Sequence, residues 1–496
     1  MKYIYTYLIC LFFLISNGAV GQGYFNVDRD IEEAYSLVTS LRFEEAGTKI
    51  QNIKTQDPNN LMVYYVENYI DFFKVFINEE KDEFDRLIQN KDLRLEKIDG
   101  GDKTSPYYLF VKAEITLQWA TARMKFGQQL TVARELYRAY KLLEENQERF
   151  PNFIENYKSL SIMHALGESI PSWIRSIAGI EGSVKLGTKE IKTLVEYSKT
   201  HEFLFKAEAY AIYSYILFYQ NNKKEEAYQL LSKSGIDHRT SPLMCFLKSN
   251  FAQKTGRNQE AMQILEEREN DNRYYPFPYL DFMYGKFKLY ELDSEAKAYI
   301  LKFLNNFKGR HFVKEAYQKL AWFEIVVNED VSDYKAYMQL CQEQGYDLVD
   351  EDKQALREAK SKEIPNTTLL KARLLFDGGY FEEGYNLLVR KAYLFHESDQ
   401  DYLEFIYRFA RIVHALKNYH DAIEYYNKAI ILGAQQESYM SANAALQVGL
   451  IYEDQKMYPE AIKYFDICLD MDPERYKNSL HQKAKTGLAR VKSLSK

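Results

Sequence analysis

The sequence predicts an all-α protein built from repeated antiparallel helix pairs, and three observations support this prediction. The 496 residues include only 22 glycines and 10 prolines, well below the roughly 7% and 5% of average chains. A chain with so few turn residues is not divided into many short strands. Apolar residues recur at helical spacing, and an alanine or glycine recurs every 34 to 39 residues in matching surroundings over parts of the chain. Self-similarity at such a period is typical of helical solenoids.

The first 21 residues have the layout of a cleaved signal peptide. Lys2 precedes an apolar run at 8–15, and the small residues Ala19 and Gly21 stand third-last and last before Gln22. A membrane anchor is the alternative, but a spanning helix needs about 20 apolar residues, and this run is shorter. Cys10 lies inside the apolar run, so it is not placed for lipid attachment. We therefore predict cleavage after residue 21 and export to a bacterial periplasm or outer envelope.

The charge argues against a nucleic-acid-binding protein, and the cysteine content argues against a disulfide-stabilised protein. Removal of 1–21 takes away Lys2 and no carboxylate, so the formal net charge changes from −6 to −7. A mildly acidic chain is poorly suited to nucleic acid, whose phosphates bind basic surfaces. The remaining cysteines, Cys245, Cys341 and Cys468, are odd in number and widely spaced. We predict that they are small core residues and not a disulfide framework.

Two similar segments stand near the carboxyl end. The segment around Ala422 is followed by the segment around Ala461, and each has a small residue twelve positions earlier, Ala410 or Gly449. Pro473 closes the second segment. This pattern resembles the tetratricopeptide repeat, in which small residues, an aromatic residue and a closing proline recur at fixed offsets. Further copies centre on Ala46, Ala227, Ala261, Ala296 and Gly384.

Residues 60–200 are also predicted to be helical. Ser105-Pro106 is an N-cap followed by a proline in the first turn and predicts a helix over 107–126, and Pro151 ends a second helix over 130–150. A glycine-rich stretch from Gly167 to Gly187 follows. Together, residues 30–200 resemble the eukaryotic tetratricopeptide family of inclusion-body clearance proteins, on the pieces 164–167, Ile170-Pro171 and 178–183. This resemblance implies a related fold and little about function.

The chain is predicted to have three regions after the signal peptide. Residues 22–200 form an amino-terminal helical region with one repeat-like pair and the glycine-rich segment. Residues 201–364 form middle repeat-like hairpins, and residues 365–496 form a carboxyl-terminal array.

Motifs that carry catalysis or bind metals and phosphates are not found in the sequence. It has no His-Glu-x-x-His, no Cys-x-x-Cys, no phosphate loop and no nucleophile elbow. We therefore predict no enzymatic activity, no catalytic residue, no metal site and no cofactor. His164 is interpreted as a buried structural residue. The helix around Trp173 is interpreted as a buried helix, and an amphipathic helix at a membrane surface is the alternative.

The first helix of each repeat lines the inner surface of such a solenoid, where extended segments of other proteins bind. Counting from the small residues places seven side chains there: Arg373, Tyr407, Arg408, Arg411, His414, Asn443 and Gln447. A groove with several arginines would suit an acidic peptide or a carboxyl terminus. Alternatively, the arginines pair with Glu404 or Glu453.

The sequence thus favours an exported, non-enzymatic scaffold that binds a protein or peptide partner on its concave surface. The alternative is an envelope protein that binds a glycan or a lipid. The sequence shows neither the identity of the partner nor the oligomeric state.

Overall fold

The computed structural model describes residues 22–167, 172–434 and 438–494. The predicted signal peptide at 1–21 and Ile170-Pro171 lie outside the described residues. Within the described ranges the regular structure is helical, and β contacts are two isolated bridges, Gly23 with Gly101 and Tyr24 with Asn60. The predicted all-α class is confirmed.

The helices of the amino-terminal region are α1 (Arg29–Thr39), α2 (Phe43–Gln56), α3 (Met62–Asn78), α4 (Lys81–Leu87), α5 (Gln89–Asp99), α6 (Pro106–Lys125), α7 (Gln129–Arg149), α8 (Tyr157–Leu166), α9 (Ser172–Ala178) and α10 (Val184–Tyr197). As predicted, Ser105 caps α6, because its Oγ accepts a hydrogen bond from the backbone N–H of Tyr107 at 3.3 Å.

The middle helices are α11 (Lys206–Tyr215), α12 (Lys224–Ser232), α13 (Pro242–Lys254), α14 (Asn258–Glu266), α15 (Tyr279–Tyr290), α16 (Ala296–Asn306), α17 (Val313–Phe323), α18 (Val331–Glu343) and α19 (Asp350–Ser361). The carboxyl-terminal helices are α20 (Thr367–Gly378), α21 (Phe381–Lys391), α22 (Tyr402–Ala415), α23 (Tyr419–Gly433), α24 (Tyr439–Asp454), α25 (Tyr458–Asp470) and α26 (Lys477–Leu494). Short 3₁₀ turns cover Ile154–Asn156 and Ala392–Leu394, and π-helical turns at Ile216–Gln220 and Glu324–Asn328 extend α11 and α17.

Small residues lie where the paired helices approach most closely. The alanines at the predicted repeat positions are fully buried: Ala46, Ala227, Ala261, Ala296, Ala422 and Ala461. At Gly449 a Cβ atom would lie 2.6 Å from the ring of Phe465, so only glycine leaves room for that ring. Consecutive helices pack as antiparallel pairs, and each pair stacks on the next, most regularly from α20 to α26. The predicted solenoid of helix pairs is confirmed.

The first part of the solenoid closes into a ring. The backbone N–H of Tyr275 donates to the carbonyl oxygen of Leu41 at 2.7 Å. On the same side, Oε2 of Glu79 accepts hydrogen bonds from the backbone N–H groups of Arg310 at 3.1 Å and His311 at 2.9 Å. Nζ of Lys125 lies 2.7 Å from the other oxygen of Glu79. Residues more than 200 positions apart are therefore joined through one buried carboxylate.

A second contact joins the middle helices to the carboxyl-terminal array. Gly379, with φ +83°, packs on the backbone of Gly256, and a Cβ atom at Gly379 would lie 2.3 Å from the Gly256 carbonyl oxygen. Beside this contact, Tyr380 Oη donates to Glu291 at 2.9 Å and accepts from Asn258 Nδ2 at 3.1 Å. This contact brings α12 and α13 close to the concave side of α22 and α26.

Two smaller predictions can be compared with the structure. Cys245, Cys341 and Cys468 are buried and free, as expected for core residues. The prediction of a buried helix around Trp173 is wrong, since Trp173 and Ile177 in α9 are 40% and 42% exposed. Helix α9 packs on α7 and leaves these side chains uncovered. Among the described residues, no helix combines the length and the apolar character needed to cross a membrane.

The close helix crossings give a first prediction about stability. Ala296 is fully buried at the start of α16, whereas Ala298 in the same helix is exposed. We expect Ala296→Leu to lower the free energy of unfolding by about 1 to 3 kcal/mol, because the larger side chain overpacks the contact with α15. Urea unfolding followed by circular dichroism measures the change. Ala298→Leu is the matched control and should change stability by less than about 0.5 kcal/mol; equal effects would contradict the assignment.

The ring closure gives a prediction about pH. Burial alone would raise the pKa of Glu79, but the contact with His311 and the charge of Lys125 hold this pKa at about 2. A carboxylate whose pKa is depressed on folding stabilises the folded state above its unfolded pKa, and this stability is lost as the pH falls toward the folded pKa. We therefore expect the closure to weaken between about pH 4.5 and pH 2, measured as faster amide hydrogen exchange at 310–312.

Glu79→Gln tests the same closure at neutral pH. This substitution removes one partner of a buried ion pair and should cost about 3 kcal/mol. It should also remove the pH dependence of exchange at 310–312. The control is Glu80→Gln, at the partly exposed neighbouring position. If hydrogen exchange at 310–312 in Glu79→Gln kept the pH dependence of the unmodified chain, another group would control the closure.

Candidate functional site

The concave face of the carboxyl-terminal array brings together most of the predicted binding residues. A cavity of about 200 Å³ is lined by five of them, Arg373, Tyr407, Arg408, Arg411 and Asn443. They come from α20, α22 and α24, which are the first helices of three consecutive pairs. Counting from the small residue of each repeat therefore correctly predicts that these five side chains share one surface. The rest of the lining consists of Asp377, Tyr439, Tyr476, Ser479, Leu480 and Lys483.

Hydrogen bonds fix the aromatic and amide side chains of this surface. Nδ2 of Asn443 donates to Oη of the buried Tyr407 at 2.7 Å. Nε2 of Gln447 donates to Oδ1 of Asn443 at 3.0 Å. Gln447 thus supports Asn443 without lining the cavity. The rings of Tyr407, Tyr439 and Tyr476 form a continuous edge-to-face series with centroid distances of 6.3 and 5.2 Å.

The three predicted arginines differ in how they are paired. Arg408 is buried, and its Nε donates to Oε1 of Glu404 at 2.6 Å, so the alternative pairing with Glu404 is found here. Glu453 instead pairs with Arg490 at 2.7 Å. Arg373 stacks over the ring of Trp322 at 4.4 Å and lies 3.8 Å from Asp377.

Arg411 differs from the other two arginines, because no ion pair joins it to a carboxylate of the described residues. Its guanidinium lies 3.9 Å above the ring of Phe376, a cation–π contact that holds the group in place without neutralising its charge. His414, one turn further along α22, lies 3.2 Å from Oη of Tyr426 and does not line the cavity. Burial and the charges of Arg411 and Lys224 lower the pKa of His414 to about 4. His414 is therefore neutral at pH 7.

The sequence analysis did not identify three nearby lysines: Lys483 lines the cavity, and Lys224 and Lys254 lie close enough to act on its charged groups. Burial, together with the charges of Lys483, Lys254 and Arg411, lowers the pKa of Lys224. Burial and the charges of Lys254 and Arg411 likewise lower the pKa of Lys483. Lys254 Nζ donates to Oη of Tyr219 at 2.7 Å. Like charges that destabilise one another in this way attract an anionic ligand.

We call this surface the basic groove and define it by Arg373, Arg408, Arg411, Lys224, Lys254 and Lys483. The carboxylates that act on these groups are Asp377, Glu358 and Glu404. Six basic groups against three acidic ones leave a positive excess in a chain whose net charge is −6. Lys224 and Lys254 could not be found from repeat positions, because the contact between Gly256 and Gly379 brings α12 and α13 close to Arg411.

A second cavity, much larger and mainly apolar, lies inside the ring formed by the first part of the solenoid. Its volume is about 1740 Å³, and it is lined from Glu32 on α1 to Phe312 before α17. Lys158 and Glu208 lie in its wall. We call it the ring chamber.

The described residues contain no group of three or more His, Cys, Asp or Glu side chains arranged to hold a metal ion. His164 is buried, with Nδ1 2.7 Å from Oε2 of Glu190 and Nε2 3.3 Å from Oη of Tyr140. Both of its nitrogens are therefore occupied by structural contacts, in agreement with the predicted role.

Comparisons with known proteins identify the repeats and little else. A family model for the tetratricopeptide repeat matches residues 403–431 and 442–475, which correspond to α22–α23 and α24–α25. The comparison with curated proteins finds no match. The resemblance of 30–200 to inclusion-body clearance proteins stays a prediction.

Two solved structures match over most of this chain. One is the Cut9–Hcn1 hetero-tetramer of APC/C, 12% identical, with 94% of this chain and 96% of that chain covered at a TM-score of 0.25. The other is Naa15/Naa10 bound to HypK-THB, 12% identical, with 93% and 65% covered at a TM-score of 0.25. Similarity at this level carries no conclusion about partners. The two family matches, together with the buried small residues at the repeat offsets, show that the chain contains tetratricopeptide repeats near its carboxyl end.

Proposed function

We propose that this chain is a non-enzymatic scaffold that binds an acidic segment of a protein partner in the basic groove. The observation that carries the proposal is the excess of cations around Arg411, Lys224 and Lys483, which lie close enough to oppose one another. A ligand with several carboxylates would relieve this repulsion and form charge-assisted hydrogen bonds, worth about 1.5 to 3 kcal/mol each.

The shape and lining of the groove favour an extended peptide over a single small anion. The tyrosine series of Tyr407, Tyr439 and Tyr476 runs beside the basic groups. Such rings supply flat apolar area for the aliphatic parts of a peptide. The concave face of a repeat solenoid is also its usual binding surface for extended segments.

The proposed setting is the periplasm or outer envelope, and it depends on the signal-peptide pattern of residues 1–21. The non-enzymatic role depends on the missing catalytic motifs. A second candidate function, binding of a lipid or a glycan, is favoured by one observation, the ring chamber. Its mainly apolar lining suits a lipid and not a glycan, because sugar hydroxyls placed there would lack hydrogen-bond partners.

A direct binding test uses residues 22–496 and a fluorescein-labelled twelve-residue peptide rich in Asp and Glu. We expect Arg411→Glu and Lys483→Glu each to weaken binding at least tenfold, which corresponds to about 1.4 kcal/mol. Binding should also weaken as salt rises, because the charges are partly exposed. Fluorescence anisotropy gives the dissociation constants, and circular dichroism checks that the helices are retained.

Lys485→Glu is the matched control, since Lys485 lies on the same helix as Lys483 and is exposed outside the groove lining. It should change affinity less than twofold. An oligothymidine of twelve nucleotides serves as the second ligand. Equal loss in the control variant, or tighter binding of the oligonucleotide than of the peptide, would rule out the proposed groove and partner class.

A further inference from the structure

The ring chamber is closed on its sides. Contacts between Leu41 and Tyr275 and between Glu79 and His311 join the two ends of the first turn. The volume of about 1740 Å³ exceeds the roughly 300 to 1,000 Å³ of ordinary small-molecule pockets.

Apolar side chains form most of the wall of this chamber. The rings of Phe73 and Phe76 both pack against Phe72 on α3 in tilted arrangements, with centroid distances of 5.2 and 5.4 Å. Met124 on α6 is 63% exposed and Tyr215 at the end of α11 is 38% exposed, both toward the chamber. Further apolar residues come from the other helices and from the closure: Ile162, Ile212, Leu243, Leu247, Phe307 and Phe312.

A mainly apolar wall favours some classes of ligand over others. An amphipathic helix would bury its polar face against apolar side chains, and a loop would leave backbone groups unpaired, at about 1 to 3 kcal/mol per group. An alkyl chain has no polar groups along its length and can bury its whole circumference. A single polar end is then the part of the ligand that must find a partner.

One polar cluster in the wall, around Lys158 and Glu208, is placed to meet such an end. Lys158 Nζ lies 2.5 Å from Glu114 Oε2 and 3.2 Å from Glu208 Oε1, and Oη of Tyr69 donates to Glu208 at 2.9 Å. Two carboxylates against one ammonium leave one negative charge. Glu114 and Lys158 are almost fully buried, whereas the Glu208 side chain remains 28% exposed. Over the whole lining there are six carboxylates and four lysines.

From this geometry we propose that the ring chamber binds an amphiphile with a long alkyl chain and an uncharged or cationic head group. The chain occupies the space between the phenylalanine rings of α3 and helix α11. The head group approaches Glu208. This site is separate from the basic groove, and its ligand is of a different chemical class.

Displacement of a neutral fluorescent reporter, N-phenyl-1-naphthylamine, from residues 22–496 tests the proposal. We expect dodecylamine to displace the reporter at least tenfold more strongly than dodecanoate, both below their critical micelle concentrations. Within an alkylamine series, affinity should rise about fourfold for each added methylene. Affinity independent of chain length, or a preference for dodecanoate, would overturn the proposal.

Two variants locate the site. Ala211→Phe places a ring in the chamber and should reduce dodecylamine affinity at least tenfold. Ala298→Phe, on the exposed side of α16, should leave affinity unchanged. Equal affinity in both variants would place binding elsewhere and overturn the proposal. If circular dichroism shows that Ala211→Phe does not fold, the chain-length series on the unmodified chain decides the question.

Glu208→Gln separates the head-group contact from the apolar contact. It keeps the size of the side chain and removes its charge. The preference for dodecylamine over dodecanoate should fall about tenfold, while the dependence on chain length stays. An unchanged preference would overturn the assignment of the head group to Glu208.

Discussion

The structure depends on the close approach of paired helices at small residues. At Gly449 the ring of Phe465 occupies the space that a Cβ atom would fill, and the buried alanines act in the same way in the other pairs. Each crossing fixes the distance and angle between two helices, and the stacking of successive pairs adds these angles into a superhelix. The accumulated curvature brings Leu41 against Tyr275 and Gly256 against Gly379.

Features that depend on local rules could be predicted from the sequence. The cap at Ser105, the buried repeat alanines and the shared surface of Arg373 and Arg411 all follow from spacing within one or two helices. Features that depend on accumulated curvature could not. Lys224 and Lys483 stand 259 positions apart in the sequence, and no periodicity relates them. The exposure of Trp173 in α9 could not be predicted either. The apolar residues of this helix suggest burial, but the neighbouring helices cover only one of its sides.

The two cavities show how one architecture produces opposite environments. In both cavities, helices of successive pairs supply the lining. The residue types at a few inward positions therefore decide whether the lining is apolar or charged. Phenylalanine and leucine at these positions make the ring chamber apolar. Arginine and lysine make the groove basic, and the series of three tyrosine rings lies beside them. The two cavities lie in different parts of the solenoid. The ring chamber lies within the closed first turn, and the basic groove lies on the carboxyl-terminal array, beyond the contact between Gly256 and Gly379.

The buried thiols have a practical consequence for work on this protein. Burial raises the pKa of Cys245, Cys341 and Cys468 to about 12, so almost no thiolate is present at neutral pH, and thiolate is the form that reacts. Each thiol is also covered by packed helices. A single cysteine introduced on the surface of residues 22–496 can therefore be labelled selectively with the native thiols left in place. Distances across the ring or the groove become accessible to spectroscopy in an otherwise unaltered chain.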